Sequence, residues 1–280
     1  MTSAIVVRPL CAADITVLVG VLARAYQSQQ NFSWRLNGYL QMRDVATFVA
    51  ELDGEPVGMV VGNDYGSVGY IAQMAVEPNL RRRGIGTALM HELVAWAERR
   101  GFAALELDAT PSGAPLYERF GFSAEGETHV YASGAAGGDP HRARRFAGAD
   151  SDALLALDRR AFGADRGDVL RLLLDSPRVS VFVSESKGTL DGYAIAQPVT
   201  ELIGPLVAAG PVPAAALFDA AREHLPVRHR VNIRSATREA TRLVVARGYV
   251  FVRSLVHMIR GRLPRASREM LYARINLGQG

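Results

Sequence analysis

Residues Met74 to Thr87 read MAVEPNLRRRGIGT. An apolar strand end is followed by a turn that sets Arg81, Gly84 and Gly86 at the mouth of a helix. Two glycines separated by one residue keep side chains away from the backbone, so the amides of Arg82, Arg83, Gly84, Ile85, Gly86 and Thr87 can turn toward one point. The positive end of the helix dipole adds to them, and the pattern predicts an anion cradle. Arg81, Arg82 and Arg83 bring formal charge to the same place.

Two common phosphate loops do not fit. The dinucleotide fingerprint needs a third glycine where Leu89 stands, and the nucleotide-hydrolase loop needs Gly-Lys-Ser/Thr, which is absent here. Downstream, Ile85, Leu89, Leu93, Trp96 and Ala97 recur at helical spacing and predict a helix from Gly84 to Arg100, stopped by Gly101. A strand over 103–109 comes next. Leu107 to Phe122, LDATPSGAPLYERFGF, then predicts a strand end, a turn at Pro111, a short helix bearing Leu116 and Tyr117, and a strand opening at Gly121-Phe122.

Together, Arg81-x-x-Gly84-x-Gly86 and the segment Thr110 to Phe122 resemble the two signatures of the GNAT superfamily of N-acetyltransferases. Thr110 stands where the family usually has Asn, and Gly113 where it has Ala. The resemblance is strong over residues 60–131. It implies acetyl-coenzyme A as cofactor, no metal, and direct attack by a primary amine of a small molecule or peptide. The diphosphate is expected on Arg81 to Thr87, and the pantetheine arm on the backbone of Met74, Ala75 and Val76. Thr110 and Tyr117 complete the cofactor set, and Tyr117 is the expected general acid, a phenol able to protonate the departing thiolate.

Composition sets the bounds. A chain of 280 residues that is 49% hydrophobic can build two globular domains. The single Cys11 allows no internal disulfide and no Cys-rich metal site, which favours a reducing compartment. No leader pattern and no membrane-spanning apolar run is present, so a cytoplasmic protein without a membrane partner is expected. The net charge of +4 divides unevenly, −5 over residues 1–140 and +9 over 141–280. The arginines of the second half are scattered over several elements, so no nucleic-acid partner is expected. A homodimer is left open.

The stretch ASGAAGGD, Ala132 to Asp139, is dense in small residues and reads as a linker over 134–141. It would separate a catalytic domain, residues 1–133, from a second domain, residues 142–280. The fold expected is mixed α/β: two tandem α+β three-layer sandwiches, each a mixed, mostly antiparallel sheet flanked by helices. After the linker the element order returns, which marks an internal repeat. In place of Arg81-x-x-Gly84-x-Gly86 the second half has Leu206 to Pro213, with one glycine, no arginine, and two prolines that remove amides. It resembles the degenerate half of tandem-GNAT proteins. The tail is expected to be helical near Ser267 to Ile275.

Three matters stay open at this level. Many relatives place a Glu four residues before Met74, where this chain has Tyr70; base candidates are Asp64, Tyr65, Gln73 through a bound water, Glu106 and Asp108. Asp108 could equally bond the turn at Thr110 to Ser112. The acceptor cleft is expected under Tyr26 to Tyr39, with Gln27, Gln29, Gln30, Asn31, Phe32 and Trp34. A non-catalytic acetyl-coenzyme A sensor is the alternative to an enzyme.

Overall fold

The computed structural model describes residues 4–28, 30, 32–133 and 143–280. The expected linker 134–141 lies outside them, as do Gln29 and Asn31. The described chain forms two compact units, neither contiguous in sequence. The first takes Met1–Leu107, Gly113–Ser123 and Ile259–Gly261; the second takes Asp108–Ser112, Ala124–Met258 and Arg262–Gly280.

In the first unit β1 (Ile5–Pro9) leads into α1 (Ile15–Tyr26) and α2 (Ser33–Gln41), then β2 (Val45–Leu52), β3 (Glu55–Asp64) and β4 (Val68–Val76). These precede α3 (Ile85–Arg100), β5 (Ala104–Ala109) and α4 (Ala114–Glu118). The strands lie in the order β1-β2-β3-β4-β5, antiparallel except for β4 with β5. Asp53 and Gly54, at φ +54° and +85°, make the tight left-handed turn that joins β2 to β3. Leu18, Val21 and Leu22 of α1, with Leu36 and Tyr39 of α2, bury against Val49, Met59, Val61, Ala72 and Ala75 on one face of the sheet. The other face belongs to α3: a Cβ on Gly58 would touch Ile85, and one on Gly62 would meet Leu93 and Trp96. The helix therefore lies close over the sheet, and its buried stripe of Ile85, Leu89, Leu93 and Ala97 contributes roughly 2 kcal/mol per large apolar side chain. Gly101 ends it in the left-handed conformation, as the sequence predicts.

The second unit starts with β6 (Ser123–Ala132), of which residues 124–132 belong to it, and β7 (Arg144–Arg145), followed by α5 (Ser151–Phe162) and α6 (Gly167–Leu174). Then come β8 (Ser180–Ser186), β9 (Thr189–Gln197), β10 (Leu202–Ala208), α7 (Pro211–Arg222), β11 (Arg230–Arg234), α8 (Arg238–Ala246), β12 (Val250–Gly261) and β13 (Leu271–Ala273). Its sheet runs β12-β6-β11-β10-β9-β8-β7, with β13 paired to β10. The core is built on Ala194, Ile203, Leu206, Leu217, Phe218 and Val231.

In the strand after Tyr117, Thr128 to Ala132 pair antiparallel with Arg234 to Arg230 of the second unit, register fixed over five positions. Val130 and Tyr131 are buried there, which no local pattern could reveal. The tail is not a helix. A single 3-10 turn, Arg268–Met270, gives way to β13, because Tyr272, Ala273 and Ile275 bury against the second unit rather than along a helical stripe.

Candidate active and cofactor site

At the start of α3 the backbone alternates in hand. Arg82 and Gly84 have φ of +63° and +85°, and between and after them the chain returns to negative φ. Successive amides in such an arrangement converge into an anion-binding concavity. The first intrahelical bond runs from the Ala88 amide to the Gly84 carbonyl, 2.9 Å, so the amides before it stand outside the helical ladder at the positive end of the dipole. Arg81, Arg82 and Arg83 are exposed beside them.

The two signature glycines do different things. Gly84 is needed for its left-handed backbone. Gly86 is an ordinary helical residue whose missing Cβ faces Leu116 of α4 at 3.3 Å. Its smallness brings α4 down on the helix mouth, where Arg119 donates to the Thr87 hydroxyl, 3.3 Å. Ile85 is buried beneath the turn.

The strand feeding this turn parts from its neighbour. Parallel pairing of β4 with β5 covers Val68–Ala104, Gly69–Leu105 and Tyr70–Glu106 and stops there. Past it β4 bulges: Val61 pairs with Ala72 and Met59 with Ala75, so Gln73 and Met74 together oppose one residue of β3. The extra residue lets both Ala72 and Ala75 face α1 and α2. Gln73 takes φ +45°, a left-handed backbone uncommon outside glycine. The backbone of Met74, Ala75 and Val76 thus lines one side of a slot that begins where β4 and β5 separate and ends at the turn.

The end of α1 clasps the same region, which the sequence reading did not foresee. Arg24 makes a forked ion pair with Glu77, 2.7 to 3.1 Å; Arg81 donates to the Ala25 carbonyl, 3.2 Å; the Tyr26 hydroxyl donates to the Met74 carbonyl, 3.2 Å. The Tyr26 phenol lies within electrostatic reach of those of Tyr117 and Tyr39. Tyr117 is buried, edge-on to Phe122 at 6.0 Å, and burial raises its pKa, which keeps the phenol protonated at neutral pH. Phe32 and Tyr39 belong to the core of the first unit, whereas Trp34 is half exposed beneath the Arg35 guanidinium.

The base candidates separate. Asp64 accepts from the Gly66 amide, 2.8 Å, and from Arg100, 2.6 Å, which makes it a turn cap. Tyr65 and Glu106 are buried, Glu106 completely, at the last pair before β4 and β5 part. Asp108 belongs to the second unit, where Thr128 donates to it at 2.8 Å and His257 and Arg274 flank it at 3.1 and 3.3 Å. Burial would raise its carboxyl; Arg274, His257 and Thr128 outweigh that and hold it down at about 2. Thr110 also groups with the second unit, its hydroxyl 3.2 Å from that of Ser112.

The equivalent slot of the second unit is filled by the chain itself. β10 pairs in parallel with β11 at Leu202–Arg230 and Ile203–Val231 only, then departs. Into the gap comes β13, pairing Ala273 with Leu206 and Leu271 with Val207, while the Arg274 amide donates to the Asn232 carbonyl of β11, 3.0 Å. Pro211 opens α7 without an amide of its own, and Gly210 before it is extended, where the start of α3 has a left-handed Gly84.

The Acetyltransferase (GNAT) family model matches residues 19–122, and an Acetyltransferase (GNAT) domain model matches residues 154–273. A mycothiol acetyltransferase of Parafrankia sp. is 30% identical over 225 residues, 69% of each chain. This chain is a GNAT acetyltransferase family member. The GNAT domain occurs twice in it, in tandem. An uncharacterized N-acetyltransferase of Bacillus subtilis, YitH, is 26% identical over 51% of this chain and 52% of its own; the chain spans about half the length of the first curated relatives it matches. In fold it is similar to a putative acetyltransferase from Pyrococcus horikoshii, with a TM-score of 0.85 at 23% identity, covering 99% of this chain and 96% of that one. Among the described residues no cluster of His, Cys, Asp and Glu could hold a metal ion, and no helix is long and apolar enough to cross a membrane.

Proposed function

We propose that the first unit transfers an acetyl group from acetyl-coenzyme A to a primary amine of a small molecule or peptide. The reading rests on the alternating-hand turn at Arg82 to Ile85, placed at the end of a strand that parts from its neighbour. The amides of Arg82 to Thr87 hold a diphosphate, with Arg81 to Arg83 as countercharge, and the backbone of Met74 to Val76 receives an extended amide-bearing arm. When bound, acetyl-coenzyme A supplies a thioester carbonyl carbon open to attack and a thiolate leaving group. The amine nitrogen uses its lone pair to form the new C–N bond as the C–S bond breaks. Tyr117 gives its phenolic proton to the departing sulfur and is reprotonated from solvent, while the amine sheds one proton to water. Burial suits Tyr117 to this, because it holds the proton until the thiolate develops.

The test is release of free thiol from acetyl-coenzyme A with ethanolamine, spermidine, phenylethylamine and an alanyl tripeptide, alongside calorimetry with coenzyme A. Gly84→Val should lower coenzyme A affinity at least tenfold, since a β-branched residue cannot adopt φ +85° without strain. Unchanged affinity would refute the cradle. Tyr117→Phe should reduce turnover about 100-fold with affinity retained. The second reading, a non-catalytic sensor, draws on Tyr70 standing where a Glu is usual and on the engagement of Asp64 by Arg100. Tight coenzyme A binding with no thiol release from any of the four amines would favour it.

A further inference from the structure

Gln73 combines two unfavourable features at one residue. Its backbone is left-handed at φ +45°, where side chains are strained. The residue is only 8% exposed, and its carboxamide oxygen is sealed from solvent and meets no donor among the described residues. A buried acceptor left unmatched is among the costlier single features a folded chain can carry. Apolar replacements of similar volume were open to the chain, and glycine would have relieved the backbone. The residue sits in the bulge of β4, three positions past the last β4–β5 pair at Tyr70 and one before Met74. Bulges re-aim side chains, and they gather beside reactive sites.

We propose that Gln73 is the residue that holds the attacking amine, its carboxamide oxygen accepting an N–H of the nucleophile. This rests on the acetyltransferase reading above, which runs the pantetheine arm along Met74 to Val76 and so brings its reactive end to the bulge. A carboxamide cannot serve as a base at neutral pH. It fixes the nitrogen with its lone pair toward the carbonyl carbon, and the proton leaves to water as before. The last torsion of a glutamine is broad and two-fold, so the oxygen can turn to the incoming amine without disturbing the strand. The bulge is then a positioning device, whose unmatched acceptor finds its donor when an amine binds.

The experiment compares wild-type chain with Gln73→Leu, which keeps volume and removes both polar ends. Three quantities are read: the melting temperature without ligand, the affinity for coenzyme A, and kcat and KM for whichever of the four amines the wild type acetylates fastest. Removing an unmatched buried acceptor should leave the melting temperature equal or higher, and coenzyme A affinity should stay within twofold. The amine kcat/KM should fall 10- to 100-fold. Gln73→Glu should restore part of the rate and add a new ionisation to the pH profile of kcat/KM, which a structural role would not produce. Unchanged kcat/KM in Gln73→Leu overturns the proposal, as does a marked loss of melting temperature with parallel loss of coenzyme A affinity. A wild-type chain that binds coenzyme A and acetylates none of the amines overturns the parent reading and this one together.

Discussion

Asp108 illustrates how a carboxylate beside a signature motif can be structural. From sequence it is a base candidate two residues before Thr110. In the fold its partners are Thr128, His257 and Arg274, far away along the chain, and all are buried. Its folded pKa is held at about 2, below the ordinary 3.8. A depressed carboxyl contributes stability above its unfolded pKa and loses it as pH falls through the folded value. Asp108 should therefore stabilise the chain by roughly 2 kcal/mol near neutrality, an amount that disappears between about pH 4 and pH 2. Urea unfolding of Asp108→Asn and wild type at pH 6 and pH 2.5 should show a gap at the first pH that shrinks to about a third at the second. A gap of equal size at both would contradict the assignment. Residue types were legible in sequence here; partners were not, because every one lies at long separation. Gln73 shows the same limit, since neither its backbone hand nor its unmatched oxygen leaves a mark in the sequence.

At the scale of elements the sequence was a good guide wherever periodicity or a turn residue carried the signal. The helix from Ile85 to Arg100, its Gly101 cap, the hairpin at Asp53-Gly54 and the short helix bearing Tyr117 all form where their residues predict. The turn at the helix mouth was legible as well, because glycine and a helix start act locally. What failed was the tail, whose strand β13 depends on a gap made by β10 and β11. That strand is held closely: a Cβ on Gly204 would overlap the Arg274 carbonyl oxygen. Gly204→Ala should push β13 aside and destabilise the chain by about 1–3 kcal/mol, the cost of overpacking. Gly38→Ala, on an open face of α2, should stabilise it by about 0.5–1 kcal/mol. Denaturant midpoints of the two variants would separate in opposite directions, and a silent Gly204→Ala would mean the tail is loosely seated.

For the molecule as a whole, two GNAT domains in tandem were legible as a repeated element order, while the allotment of strands was not. Composition marks a linker at 134–141, yet β6 precedes it and belongs by residues 124–132 to the second unit. Residues 259–261, near the other end of the chain, belong to the first. A fragment of residues 1–133 should then carry Val130 and Tyr131 with no β11 to cover them. It should elute as aggregate in size-exclusion chromatography, where the full chain elutes as a discrete species; a well-behaved monomeric fragment would count against this allotment. β13 is an occupant tethered to its own site, so its local concentration is set by chain length and not by supply. A diffusing ligand drawn to the same gap would have to compete with it on those terms. If the first unit binds coenzyme A as proposed above, mass action should make that half of the molecule more stable as the cofactor rises, while the gap of the second unit already holds a segment of the chain.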